Sequence, residues 1–416
     1  MRQAAALLTS VALAKSVLPA EQIGSYEQLF FVQYAVSFFW VSGLLQAFLS
    51  LYPTMDPWKK APFIWTAYQG LAILSIFLFT TMYFGSKPLL QFLAGKPFLP
   101  FYTVFLLQLL FHLPTFLLEY LFLLQERGNA ILWFGAFSFG GALIAVGGPV
   151  LGGWGLDVAF RYLVLLGILK HLWLLYEVAR MGPPRSLSIS LLLSWLSLAA
   201  PLIAYTFIGG LIQAYGGWAV NRFYNGDSAQ FALFRFGARE FPLLIALSEA
   251  LNAALIPLVA LQGKDGLDQI RQKTLRVMHL VFPITILLLA TSRYWFPLAF
   301  SNTFAGSIPV LNAFFLLAVS RSVFPRAILI GLQDNRAVLF FSILEFVILV
   351  ITTTLLLPRW GITGVALATV IAFWAEKGLQ IARLKYHFGI SPDTYMPLRW
   401  WAGYSALLLL AYCFPC

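Results

Sequence analysis

Apolar stretches recur along the whole chain, and this feature restricts the possible folds more than any other. Most of them reach the roughly 18 to 25 residues that cross a bilayer as a helix. Because lipid offers no partner for unpaired backbone groups, each stretch is expected to be helical. The stretches are 4–18, 26–51, 61–84, 99–124, 130–151, 156–176, 188–216, 228–261, 277–300, 308–332, 337–357, 361–382 and 398–414. The sequence therefore predicts an all-α, polytopic membrane protein with about 12–13 transmembrane helices.

The hydrophobic pattern occurs twice. Trp154 and Trp360 begin matching segments and are 206 positions apart (360 − 154). Further matches at nearly the same offset join Leu124-Gln125-Glu126-Arg127 to Leu332-Gln333-Asp334-Asn335, Tyr26–Pro53 to Phe231–Pro257, and Lys59-Lys60 to Lys264. Apolar segments that merely look alike are the alternative, but loop residues match as well. Two similar halves in one membrane chain are typical of transporters whose substrate site lies between the halves.

A polar segment between Arg180 and Arg185 divides the two halves. It reads Arg-Met-Gly-Pro-Pro-Arg, and consecutive prolines interrupt a helix. The predicted domains are an N-terminal helical bundle at 1–180 with helices one to six, a C-terminal bundle at 186–386 with helices seven to twelve, and a tail at 387–416 with one extra transmembrane helix.

The net charge of +11 is distributed as in a membrane protein rather than a nucleic-acid-binding protein. Only 10% of the residues are charged, against about 25% in soluble domains. A cytoplasmic N-terminus places most basic residues in cytoplasmic loops, as the positive-inside rule requires. The cytoplasmic set is Arg2, Lys59, Lys60, Arg127, Arg180, Arg185, Lys264, Arg271, Lys273, Arg276, Arg336, Arg383, Lys385 and Arg399, and the opposite loops hold Lys87, Lys96, Arg222 and Arg359. A secretory signal peptide at residues 2–14 is the alternative reading of the N-terminus.

Motifs for catalysis, metal binding or cofactor binding do not occur in the sequence. The Cys413-Phe-Pro-Cys416 pair has no second cysteine pair, and the four histidines have no ligand spacing. A glycine-rich phosphate loop and a nucleophile elbow are also missing. We therefore expect no enzyme, no metal and no cofactor.

Two segments resemble the polysaccharide transporter branch of the multidrug/oligosaccharidyl-lipid/polysaccharide exporter superfamily. Residues 14–26, Ala-Lys-Ser-Val-Leu-Pro-Ala-Glu-Gln-Ile-Gly-Ser-Tyr, are similar to the first-loop pattern of these flippases. The sharper match is Gly331-Leu-Gln-Asp-Asn followed by an apolar helix and Pro358-Arg-Trp-Gly-Ile-Thr-Gly-Val-Ala-Leu-Ala-Thr369. The chain departs from the family in its short N-terminal lead-in and its single extra helix.

The resemblance implies two six-helix bundles related by a pseudo-two-fold axis along the membrane normal. It implies a flippase that moves polyprenyl-pyrophosphate-linked oligosaccharide across the bacterial inner membrane by alternating access, for cell-surface polysaccharide such as lipopolysaccharide. The implied partners are that substrate, membrane lipids and polysaccharide assembly proteins, with no nucleic acid. A cation-coupled multidrug exporter of the same superfamily and a glycan polymerase or ligase are the alternatives.

Charged residues inside the spans are the candidate site, because a charge in the bilayer is costly and usually faces a cavity or a partner. Arg235 and Arg239 are four residues apart in the predicted helix 228–261, so they are expected on one face. They either bind pyrophosphate, for which the arginine fork is suited, or pair with Glu240 or Glu249 on the same helix.

The other candidates divide by charge. Lys15 either meets the pyrophosphate or extends to the interface. Lys170 corresponds in the repeat to Glu376, so the two either pair across the interface between halves or act separately. The remaining cavity candidates are Arg321 and Arg326, and the ion-coupling candidates are Glu119, Glu345 and Glu376, for which structural hydrogen bonding is the alternative role.

The charge pattern yields a topology prediction. Single cysteines at 185 and 264 are expected to resist an impermeant thiol reagent added outside intact cells, whereas a cysteine at 87 should react, since basic loops stay cytoplasmic. Both native cysteines would first be replaced by serine. External labelling of position 264 would reverse the whole orientation.

Overall fold

The computed structural model describes residues 1–239, 242–262 and 266–413, with only the backbone at 242, 243, 253 and 262. Within these residues all regular structure is helical, and ten helical segments are long and apolar enough to cross a membrane. The chain is therefore a multi-pass membrane protein, and the predicted all-α class is confirmed. Ten is fewer than 12–13 because two apolar helices are short, with 14 and 16 residues, and one 54-residue helix contains two predicted spans.

The described chain divides into two compact units. The first comprises Met1–Ala214 with Asn221–Ala232, and the second comprises Tyr215–Val220 with the described residues after Ala232. The long helix α10 contributes residues to both units, and the boundary of the sequence repeat at 180–186 stays a prediction. The helices before the linker are α1 (Arg2–Lys15), α2 (Ala20–Leu51), α3 (Pro57–Phe84), α4 (Ser86–Leu93), α5 (Tyr102–His112), α6 (Phe116–Leu124), α7 (Gly128–Gly135), α8 (Gly141–Leu151) and α9 (Gly155–Arg180).

The helices after the linker repeat this order. They are α10 (Ile189–Phe223), α11 (Ser228–Gly237), α12 (Pro242–Gln262), α13 (Leu267–Ala290), α14 (Ser292–Ala299), α15 (Ile308–Phe315), α16 (Ala318–Arg321), α17 (Pro325–Gly331), α18 (Asn335–Phe388), α19 (Pro392–Tyr395) and α20 (Leu398–Cys413). Short 3-10 turns lie at Tyr52–Thr54, Leu113–Thr115 and Asn302–Ser307, and a π turn spans Ala136–Gly140.

Several apolar stretches that the sequence predicts as single helices are interrupted in the structure. The stretch 228–261 is two helices, because α11 ends at Gly237 and proline begins α12. Proline lacks an amide hydrogen and disfavours a helical residue before it. The stretch 277–300 is also wrong as one span: α13 begins at Leu267 and ends at Ala290, and α14 follows separately. Pro114 lies in a 3-10 turn between α5 and α6, but the two helices form one span, Tyr102–Leu124, as the stretch 99–124 predicted.

The turns of the repeat have the same backbone geometry in both units. Gly155 and Gly361 have φ angles of 83° and 57°, a left-handed region that favours glycine. Gly361 thereby divides α18 into two helical segments. The turn before α7 has Glu126 at φ 57°, and the turn before α18 has Gln333 at φ 64°. These shared conformations explain why loop residues, and not only apolar ones, match between the halves.

The turns before α7 and α18 are each joined by an ion pair to the last helix of the same repeat. The signs of the two charges are exchanged between the repeats. In the first unit, Arg127 Nη1 lies 2.7 Å from the Glu177 carboxylate at the end of α9. In the second unit, Asp334 lies 2.9 Å from Arg383 Nε near the end of α18. The structure matches Arg127 with Asp334, 207 positions apart (334 − 127), one residue from the sequence match to Asn335, and the helix residues are 206 apart (383 − 177). The position of the contact is therefore kept while both charges are inverted.

The two ion pairs should differ in their contribution to stability. The Glu177 side chain is 4% exposed, so Arg127→Ala leaves a buried carboxylate whose remaining ion-pair partner is the exposed Arg180 at 3.9 Å, and it should cost about 2–3 kcal/mol. Asp334 is 15% exposed, so the matched variant Arg383→Ala should cost about 1 kcal/mol or less. Thermal unfolding in detergent measures both variants, and equal shifts would contradict the difference in burial.

Candidate functional site

Lys170 lies inside the first unit, where its charge is held by a histidine and an aromatic ring. The side chain is on α9 and only 6% exposed. Its Nζ is 3.2 Å from Nδ1 of His112 on α5 and 5.4 Å from the centre of the Phe134 ring. An ammonium group has only donors, so the neutral imidazole accepts at Nδ1 and carries its proton on Nε2. The ring face provides a further attraction for the cation.

Glu119 completes this cluster on α6. It is half-buried and acts electrostatically on Lys170, while Arg2 at the start of α1 acts on His112. The cluster of Lys170, His112, Phe134, Glu119 and Arg2 therefore joins five helices of one unit. Sequence reasoning missed His112 because it considered histidines only as metal ligands. The spacing of seven residues between His112 and Glu119 was a signal, since two helical turns place both side chains on one face.

A second half-buried histidine lies beside the cluster. His171 follows Lys170 on α9, and its Nε2 is 3.0 Å from the hydroxyl of Tyr68 on α3. Its Nδ1 is 3.4 Å from the carbonyl oxygen of Phe111. Both ring nitrogens thus have partners within the unit, which fits a packing role for this residue.

The second unit contains a buried cluster with two carboxylates. Glu376 on α18 is 2% exposed, and its carboxylate accepts from Lys377 at 3.1 Å and from Gln380 at 2.6 Å. Glu345, on the preceding segment of the same helix, is 4% exposed. Across the described residues it makes no hydrogen bond or ion pair, although it lies within electrostatic range of Glu376. The other charges that act on Glu345 are Lys377, Arg326 and Arg321.

The two clusters occupy equivalent positions of the repeat with inverted charges. Lys170 corresponds to Glu376 (376 − 170 = 206), and Glu119 corresponds to Arg326 (326 − 119 = 207). Glu345 corresponds to Ser138 (345 − 138 = 207), so the second unit carries one additional acid. Lys170 and Glu376 each have hydrogen-bond partners inside their own unit.

The four arginine candidates are all half-buried in the second half of the sequence. Arg235 is on α11. Arg239 lies beyond the end of α11, 5.4 Å from the ring centre of Phe236, so the prediction that both arginines share one helical face is wrong. The helix ends first because Gly237 and the proline at 242 interrupt it. Glu240, the proposed partner, lies outside the described residues, as do Lys264 and Cys416, and Glu249 is exposed on α12.

Arg321 and Arg326 lie on either side of a helix break, and Pro325 begins the helix after it. Arg321 ends α16, and its guanidinium is 5.2 Å from the centre of the Phe373 ring. Arg326 is the second residue of α17. Lys15, by contrast, is exposed at the last residue of α1, where a positive charge is favourable to the helix dipole.

A buried polar network that the sequence did not indicate joins α2 to the end of α10. Gln28 donates to Asn221 at 2.8 Å and accepts from Ser228 at 2.8 Å. Lys96, in the connection after α4, donates to the same Ser228 hydroxyl. Burial lowers the pKa of Lys96, and the carboxylates of Glu21 and Asp227 oppose this shift. The network satisfies polar groups that would otherwise be costly to bury.

Among the described side chains, no group of three or more histidine, cysteine, aspartate or glutamate residues is arranged to hold a metal ion. The side chains of the buried clusters can bind anions through lysine and arginine, and they can hold a proton on a carboxylate or an imidazole.

A double-mutant cycle distinguishes local from long-range pairing of Lys170. Because His112 is its hydrogen-bond partner, Lys170→Met and His112→Leu should couple by about 0.5–2 kcal/mol in unfolding free energy. Lys170→Met and Glu376→Gln should be additive within about 0.5 kcal/mol, since each residue has partners in its own unit. Thermal unfolding in detergent gives both terms, and strong coupling between 170 and 376 would reverse this assignment.

No protein-family model and no curated protein sequence matches the chain. Among solved structures, the inward closed conformation of the lipid II flippase MurJ has a TM-score of 0.77 at 14% identity, over 99% of this chain and 90% of that chain. An inward-facing multidrug resistance MATE family transporter of the MOP superfamily has a TM-score of 0.60 at 14% identity, over 98% and 95%. A mutant of the Vibrio cholerae MATE transporter VcmN gives 0.54 at 17% identity, over 92% and 93%. The chain therefore has the two-bundle fold of these transporters, and its resemblance to the exporter superfamily is confirmed at the level of fold.

Proposed function

We propose that this protein is a transporter that flips a polyprenyl-pyrophosphate-linked oligosaccharide across the bacterial inner membrane by alternating access, for cell-surface polysaccharide synthesis. The observation that carries the proposal is a set of cations within and beside the spans, which occur together with four buried carboxylates, Glu27, Glu177, Glu345 and Glu376. Only 10% of the residues are charged, yet Lys170 is buried in a membrane helix, and Arg235, Arg239, Arg321 and Arg326 are half-buried. Fixed cations at such depth suit an anionic substrate.

Arginine is the residue best suited to a pyrophosphate. Its planar guanidinium donates two parallel hydrogen bonds to phosphate oxygens and stays charged at all physiological pH values. The four arginines would replace the water that surrounds the phosphates in the cytoplasm. The fold similarity to a structure described as a lipid II flippase, with the highest of the three TM-scores, supports a lipid-linked substrate.

The membrane potential is a sufficient driving force in this proposal. Moving one negative charge outward gains about 2.3 kcal/mol per 100 mV of inside-negative potential, and a doubly charged pyrophosphate gains roughly twice that amount. Glu345 supports a further proposal, that transport is coupled to a proton. It is a buried acid of the second unit, and the equivalent residue of the first unit is Ser138.

A cation-coupled multidrug exporter is the second candidate function. The two MATE structures and the pair of buried carboxylates, Glu345 and Glu376, favour it. The two candidates differ in the sign of the cargo: a cationic drug would be repelled by the arginines, whereas a pyrophosphate would be attracted. The polysaccharide assembly proteins expected from the sequence resemblance remain a proposal for partners.

Arg235→Ala should abolish flipping of a fluorescent lipid-pyrophosphate oligosaccharide in proteoliposomes, because the bidentate contact is lost. Arg235→Lys should keep part of the activity, since it retains the charge without the planar fork. We expect a loss of at least about 100-fold for alanine, in the range of a charge-assisted contact of about 3 kcal/mol.

Arg222→Ala is the matched control, because this exposed arginine ends α10 and is not a site candidate. It should flip at the rate of the unmodified protein. Unchanged flipping by Arg235→Ala, with equal reconstitution and equal thermal stability, would remove Arg235 from the site.

A further inference from the structure

Two short amphipathic helices, α4 and α14, occupy the same place in the two repeats. They begin 206 positions apart (292 − 86), and each follows directly after a membrane-spanning helix. Their hydrogen bonds also correspond. Gly85 N donates to Thr81 O at 2.8 Å, and Thr291 N donates to Leu287 O at 3.0 Å. The same structural element is therefore built twice, by sequences that share few residues.

Burial along the two helices follows one pattern. In α4 and the residue that follows it, Leu90 and Ala94 are 1% and 0% exposed. In α14 and its next residue, Phe296 and Phe300 are 0% and 4% exposed. Residues four apart lie on one helical face, so each helix is fixed to its own unit by this stripe.

Each helix also carries an exposed cation near its N-terminus, one turn before the buried stripe, and exposed apolar side chains on the face opposite that stripe. Lys87 and Arg293 are 206 positions apart and both exposed. Within the described chain neither makes an ion pair or a hydrogen bond. Five residues further on, Phe92 is 60% exposed and Leu298 is 77% exposed. In water this apolar surface would be unfavourable, whereas at a bilayer interface it is removed from water and the cation remains among the headgroups.

We propose that α4 and α14 are interfacial helices that bind the phosphates of membrane phospholipids, with Lys87 and Arg293 as the phosphate-binding residues and Phe92 and Leu298 inserted among the acyl chains. The charge complementarity supports this partner: a single cation beside an apolar surface matches a lipid headgroup above its acyl chains. The repeat supports it independently, because a cation is kept at this position in both halves while four other repeat-equivalent charges are inverted in sign. This inference does not depend on the transported substrate.

Depth measurement in vesicles of phosphatidylcholine and phosphatidylglycerol tests the proposal. Spin labels are placed at Phe92→Cys and Leu298→Cys in the full chain with Cys413→Ser and Cys416→Ser. Collision rates with oxygen and with an aqueous nickel chelate give the depth. Both labels should lie about 5–10 Å below the lipid phosphates. A label at the exposed linker residue Arg185 provides the aqueous reference, and a label at Leu165, exposed in the middle of α9, provides the deep reference.

Charge reversal then tests the phosphate contact. Lys87→Glu should make the label at 92 shallower, and Arg293→Glu should do the same at 298, with the larger change where phosphatidylglycerol is present. Each lost contact corresponds to about a fivefold weaker preference for anionic lipid, or about 1 kcal/mol. Arg359→Glu is the matched control, because this exposed cation lies on neither helix, and it should leave both depths unchanged.

The proposal is overturned if both labels are as accessible to the chelate as the label at 185, or if the depths do not respond to charge reversal. Lys87→Gln and Arg293→Gln repeat the test without adding a negative charge, in case the glutamate variants do not fold. A smaller change of the same direction is expected for them.

Discussion

The cost of placing a charge in hydrocarbon is the constraint on which this structure depends. A buried ionised side chain is tolerated only when nearby groups replace the water that it has lost. Lys170 meets this condition through His112 and the face of Phe134, and Glu376 meets it through Lys377 and Gln380. In both units the partners come from the same unit. Lys170 and Glu376 are therefore each stabilised by groups of their own unit.

Duplication followed by charge inversion accounts for the arrangement of these contacts. The turns before α7 and α18 share their left-handed residues, and both are linked to the end of the following long helix by an ion pair. Reversing both members of a pair keeps the attraction, so the two copies could diverge in sign without losing the contact. Glu345 is the exception, since its counterpart in the first unit is the uncharged Ser138. The second unit therefore has an acid at this position that no cation matches in the first unit. An unmatched buried acid is the kind of group that a coupled transporter uses.

The membrane class, the repeat and the positions of most helices could be predicted from the sequence, because apolar length and backbone hydrogen bonding leave few alternatives. The breaks near Gly237 and Thr291 were missed, since hydrophobicity continues across them while the backbone does not. Pro242 was the visible signal for the first break. Of the buried clusters, Lys170, Glu119, Glu345 and Glu376 were identified by their charge alone, whereas His112 was not, because its role depends on packing between α5 and α9. The matching burial of α4 and α14 also required the structure, since eight-residue helices are too short to stand out in an apolar sequence.

Direct binding measurements test the central claim, that half-buried arginines and a buried lysine select an anionic lipid-linked cargo. Native mass spectrometry of the purified protein would compare a polyprenyl-pyrophosphate oligosaccharide, the same glycan on a neutral lipid, and a lipophilic cationic dye. The account predicts that the pyrophosphate compound binds at least about tenfold more tightly than the neutral compound, a difference of about 1.4 kcal/mol, and that the dye does not displace it. Equal binding of the charged and neutral compounds, or preferential binding of the cation, would contradict it.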